Sequence, residues 1–197
     1  MPESSDLPVE QRQPCPNCGS LTRHFSRYAS DTATTNDSLS VAVAMASGPR
    51  PWIELWHQVK HEYDELAAMY SGERGVTNQQ EILSTINNFF VGCYSLKDHI
   101  RQDQGVPAAV RGQVETYLQG DAALTLCGDV ANTVKHHTRQ HGRTARLSDW
   151  ATLPDGTVTA MFGVTDLSGS TTKYDALNLA RDAMAAWQQF INDNGLI

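Results

Sequence analysis

The sequence predicts a mostly α-helical chain: a bundle of four to five helices, a small β-hairpin inserted before the last helix, and a loosely packed N-terminal arm. Three observations predict it. Apolar residues recur in steps of three and four along four long stretches and one shorter one, a spacing that gathers them on one face of a helix. Between about 149 and 173 the period drops to two, the signature of strands. The first 37 residues are rich in Pro, Ser, Thr, Asp and Asn, with only Leu21, Phe25 and Tyr28 as apolar anchors, too little to offset the entropy of ordering them. The organisation expected is therefore an arm over 1–37 and a bundle domain over 38–197.

After the arm, Leu39, Val41, Val43 and Met45 alternate with small residues, which predicts one strand ended by Ser47-Gly48-Pro49. Trp52, Trp56, Val59, Tyr63, Leu66 and Tyr70 then share a helical face over 52–71, with Pro51 suited to the first helical position and Gly72 to the stop. A longer helix over 77–104 carries Ile82, Ile86, Phe89, Phe90, Cys93, Leu96 and Ile100 as its stripe. Pro107 opens a short helix with Val110, Val114 and Leu118 inward, and Gly120 ends it.

Asp121 caps the next helix, expected over 121–141, in which Leu124, Cys127, Val130, Ala131 and Val134 face inward and Gly142 follows the end. Two strands come next, joined by Pro154-Asp155-Gly156, with Val158, Ala160, Phe162 and Val164 on one side and a second turn at 166–170. The last helix, 174–194, is expected to bury Leu177, Ala180, Met184, Trp187 and Ile191 and to stop at Gly195. Trp56, Phe89, Phe90, Val130, Val134 and Trp187 are the expected centre of the core.

Composition narrows the classes of function. Of 197 residues, 40% are hydrophobic and 19% charged, enough apolar material for a real core. The balance of 22 acidic against 15 basic residues gives a net charge of −7, so contact with nucleic acid would have to be local. The longest purely apolar run, Val41 to Ala46, is far short of the roughly 20 residues that cross a bilayer. The first thirteen residues lack the apolar stretch of a secretory signal, and the expected location is the cytoplasm. The sequence carries no P-loop, GxGxxG, GxSxG, HExxH or EF-hand loop, so no nucleotide cofactor is expected.

The residues that could carry chemistry cluster in Asp129-Val-Ala-Asn132-Thr-Val-Lys135-His136-His137-Thr-Arg139. At about 100° per residue, Asp129, Asn132 and His136 lie within roughly 60° on one edge, with Lys135 and Arg139 beside them. An imidazole there can pass protons near neutral pH, and the flanking cations can hold an anion. The same residues also suit the polar face of an amphipathic helix whose C-terminus favours cations. Asp98, near the end of the long second helix, could meet Lys135 or His136 if the two helices pack antiparallel. Cys15-Pro-Asn-Cys18-Gly19 looks like one half of a zinc knuckle, supplying Cys15 and Cys18 as two of four tetrahedral zinc ligands, with His24 as a third.

Asn132-x-x-x-His136, late in a helix of an all-helical bundle, resembles the Arg-Asn-x-x-x-His form of the motif of HEPN domains, a superfamily that includes ribonuclease toxins and phage-defence effectors of prokaryotes. The resemblance spans residues 52–193 in architecture and two residues in motif. Asn132 matches the polar position and His136 the histidine, while the arginine position holds Ala131. Arg50 and His57 satisfy an arginine-to-histidine spacing, but Pro49 and Pro51 place Arg50 before its helix. The resemblance implies a metal-independent endoribonuclease that draws its cation from Lys135 or Arg139, or else a catalytically degenerate partner of one. A homodimer and an RNA or protein partner are the expected assemblies. The alternatives are a non-enzymatic interaction protein, with the bundle as scaffold, and a zinc-dependent adaptor resting on Cys15 and Cys18.

Overall fold

A computed structural model of the chain describes residues 50–75, 78–136 and 143–197, apart from the side chain of His136. The expected arm, the strand over Leu39 to Met45, and Cys15 and Cys18 lie outside the described residues, as do His137, Arg139 and Gly142. The element order is α1 (Pro51–Ser71), α2 (Gln79–Gln102), α3 (Ala108–Gly120), α4 (Ala122–His136), β1 (Thr144–Thr152), β2 (Val158–Thr165), β3 (Thr171–Asp175) and α5 (Ala176–Asp193). The mostly helical class, with a small sheet before the last helix, is the one the sequence predicts.

Local chemistry sets the helix ends. Pro51 opens α1, and Arg50 stands before it as its N-cap residue, ion-paired to Asp103 at 3.2 Å. Gly72 ends α1 with φ 76°, and a Cβ there would press on the backbone of Asp155 and Thr157 at 3.2 Å, so the position needs glycine twice over. The Asn78 side chain caps α2 by accepting from the Glu81 amide at 3.0 Å. Asp121 is the only residue between α3 and α4, and its carboxylate accepts from the Leu124 amide at 2.8 Å.

Trp52, Trp56, Leu66, Phe89, Phe90, Val130, Trp187 and Phe190 are buried in one core. Trp187 spans it, donating from Nε1 to the Cys93 carbonyl at 3.1 Å and so tying α5 to α2. Three expected positions differ. Val134 is half-buried, because it stands in the last turn of α4, where Thr133 rather than an apolar side chain meets β1. On α5 the buried stripe is Ala176, Leu179, Ala180, Ala183, Ala186, Trp187, Phe190 and Ile191, whereas Leu177 and Met184 are only half-buried at its margin. Alanines at 176, 180 and 183 let the helix lie close on that side, and small residues send no strong signal in an apolar pattern.

The expected hairpin is a three-stranded antiparallel sheet in the order β1-β2-β3. β1 starts at Thr144, five residues earlier than expected, and Thr171–Asp175 forms a third strand, which follows the expected turn at 166–170 and takes the first two residues of the expected helix. Neither segment alternates: β1 buries only Ala145, β3 nothing, and a register shift falls between Leu147 and Asp149. β2 lies between them and turns Val158, Ala160, Phe162 and Val164 onto the helices, with Phe162 edge-on to Phe90 at 5.2 Å between ring centres.

β3 pairs with β2 only as far as Asp175 opposite Met161, which leaves the Ala160 amide and carbonyl without a strand partner on that side. The Tyr70 hydroxyl takes both, accepting from the amide and donating to the carbonyl at 2.9 Å. It also lies 3.5 Å from the Asp175 carboxylate. Burial, with the Asp175 charge second, pushes the Tyr70 phenol far above its usual range, so it stays protonated and able to donate.

Candidate functional site

The polar edge of α4 is where the sequence concentrates chemistry, and the fold builds it from two segments. Asp129 is 9% exposed, an expensive position for a carboxylate unless a cation meets it. Arg143, in the residues that lead into β1, does so: its Nε lies 2.8 Å from Asp129 Oδ2. Thr133 reinforces the junction by donating its hydroxyl to the Asp129 carbonyl at 2.8 Å and accepting the Ala145 amide at 3.1 Å. The amide of an edge strand is thus satisfied by a helix side chain, and an ion pair and a hydrogen bond help to hold the start of β1 against α4.

Asn132 is half-buried, Lys135 is exposed, and His136 is the last residue of α4. Asp129 and Asn132 lie three residues apart on the same helix, hence on neighbouring turns. Ala131, at the position where the resemblance expects arginine, is completely buried. A long cation could not replace it there without disrupting the packing around it. Arg139 lies outside the described residues.

Asp98 is exposed on α2, and neither a hydrogen bond nor an ion pair links it to Lys135 among the described residues; the side chain of His136, its other expected partner, lies outside them. Lys97 and Arg101, at the same end of α2, meet α3. Lys97, 8% exposed, donates to the Tyr94 hydroxyl at 3.0 Å and lies 3.5 Å from Glu115, which also receives Arg101 at 3.4 Å. Burial alone would lower the Lys97 pKa, but the bond to Tyr94 and the Glu115 charge override it and leave the ammonium above its usual value.

Sequence reasoning missed Arg143 and Thr133. One signal could have found the first: residues 135–146 hold Lys135, Arg139, Arg143 and Arg146 with His136, His137 and His141, and no Asp or Glu. In a chain of net charge −7 such an acid-free run is a local reversal of sign. Among the described residues no group of three or more His, Cys, Asp or Glu is disposed to hold a metal ion. No helix is long and apolar enough to cross a membrane among them. No family model, no curated protein and no solved structure matches this chain.

Proposed function

We propose that this domain is HEPN-like and engages RNA at the polar edge of α4, in a phage-defence or toxin–antitoxin setting. The observation that carries the reading is the placement of Arg143 on Asp129, which brings a guanidinium to the helix edge bearing Asn132 and His136 although the motif's own arginine position holds Ala131. The surrounding acid-free run supplies the local positive charge that a phosphate backbone requires. In this reading His136 moves protons, and Arg143 and Lys135 face the charge that grows on a phosphate during metal-independent cleavage. Asp129 offsets part of the Arg143 charge, so binding is expected to exceed cleavage, with slow turnover.

The test is binding and cleavage of single-stranded RNA by the purified chain in EDTA, read over a series of salt concentrations. The expected result is affinity that falls with salt and drops severalfold in Arg143→Ala, and slow cleavage lost in His136→Ala with folding intact. Cleavage that survives both variants, or no binding at low salt, overturns the reading.

A second reading, a non-enzymatic interaction protein, is favoured by one observation. Trp150 pairs in register with the inward-facing Ala160, yet is 39% exposed, and Leu153, just past the end of β1, is 45% exposed. Apolar side chains left open at the end of a strand suit a protein partner. Under that reading the chain ignores RNA at every salt concentration.

A further inference from the structure

Cys93 on α2 and Cys127 on α4 are both completely buried and both unbridged. The Cys127 thiol donates to the Phe90 carbonyl of α2 at 3.5 Å, and the Cys93 thiol lies close enough to interact with it. The seam between the helices is tight at this level. Gly128 follows Cys127, and a Cβ on it would stand 2.7 Å from the Tyr94 ring, in the residue that follows Cys93. The two sulfurs thus come from facing helices at a level where one helix offers no Cβ to keep the other away, and close approach of the two backbones is what a disulfide requires.

We propose that Cys93 and Cys127 are a redox-sensitive pair that closes into a disulfide joining α2 to α4. Each thiol gives up its proton, one sulfur–sulfur bond forms, and two electrons pass to a two-electron oxidant. With hydrogen peroxide the O–O bond breaks and two waters leave. With a small disulfide, one thiolate displaces half of it and the second thiolate displaces the other half, releasing two thiols. Burial, with Cys93 beside it, keeps the Cys127 thiol protonated under ordinary conditions. Oxidation therefore waits for the seam to open, and the closed disulfide is then shielded from reductant by the same packing. The link would pin α4, the helix that carries Asp129 and Asn132, and it holds whether or not that edge binds RNA.

The experiment uses the full chain with Cys15→Ser and Cys18→Ser, so that the other two cysteines do not compete. The folded protein is exposed to hydrogen peroxide and, separately, to oxidised glutathione. The expected result is a loss of about 2 Da in intact mass and a non-reduced peptide joining 93 to 127, reversed by dithiothreitol. The thermal midpoint should rise by several degrees, since the link closes a loop in the unfolded chain. Two free thiols after prolonged oxidation of the folded protein, over-oxidised sulfurs in place of the link, or a link that forms only in urea would each overturn the proposal. The linked peptide is read in protein that keeps both cysteines, so the result does not depend on whether a Cys93→Ser control folds.

Discussion

At the scale of single residues, Gly128 does more than its size suggests. The Tyr94 ring lies against it, the Tyr94 hydroxyl holds Lys97, and the Lys97 ammonium also stands 4.4 Å from the centre of the same ring. A methyl group at 128 must push that ring aside and disturb a nearly buried cation. Gly128→Ala is expected to destabilise the protein by roughly 1–3 kcal/mol in urea denaturation, although alanine favours a helix by about 1 kcal/mol. In a Tyr94→Ala background the penalty should vanish; if it persists, the clash is not its source. Residue by residue, the site was only half legible in sequence. Helical period alone places Asp129 and Asn132 on one edge, because both sit on one regular element. Arg143 reaches them from beyond the end of α4, and no local period encodes that return. Lys97 reads in sequence as one of several solvated charges at a helix end; its burial depends on Tyr94 and on Glu115 of another helix.

Among the elements, the two turns of the sheet were the most legible and its strand ends the least. Asp155 accepts from the Thr157 amide at 3.0 Å and hydroxyl at 2.7 Å, while Asp166 accepts from the Ser168 amide at 2.8 Å and hydroxyl at 2.6 Å. Asx turns of this kind are written in adjacent residues, with Gly156 and Gly169 at positive φ to complete them. The third strand pairs through backbone and threonines, with no apolar alternation to announce it. The turn bonds favour the ionised carboxylates, chiefly through the Thr157 and Ser168 hydroxyls, and hold both groups below the usual aspartate value. What they contribute is therefore fully present above the pKa of an unfolded aspartate and lost as pH falls through the lower folded values. Carboxylate titration by NMR should show both midpoints depressed, and amide exchange at Thr157 and Ser170 should quicken only at acid pH below them. Midpoints at ordinary aspartate values would refute the turn assignment.

Over the whole described fold, stability rests on one core that every helix enters. Trp187 links two helices within it, packed edge-on to Phe190 at 5.9 Å between ring centres and hydrogen-bonded across to α2. Trp187→Ala should cost roughly 3–5 kcal/mol in a single cooperative transition, checked by chemical denaturation; two transitions would mean that α5 unfolds apart from the rest. The bundle was legible in sequence because its stripes are long and aromatic, while the partners of each stripe were not, since periodicity gives a face without saying what covers it. One junction also decides how the chain can be rebuilt. Asp175 ends β3, caps α5 by accepting the Asn178 amide at 2.8 Å, and stands beside the Tyr70 hydroxyl. Sheet and helix therefore share one residue with no slack between them. A peptide tag or guest domain spliced there would pull helix start, strand end and Tyr70 out of alignment together, whereas the same guest placed at Gly169, where an added Cβ meets nothing within 4 Å, would disturb only the local bonds of the Asp166 turn.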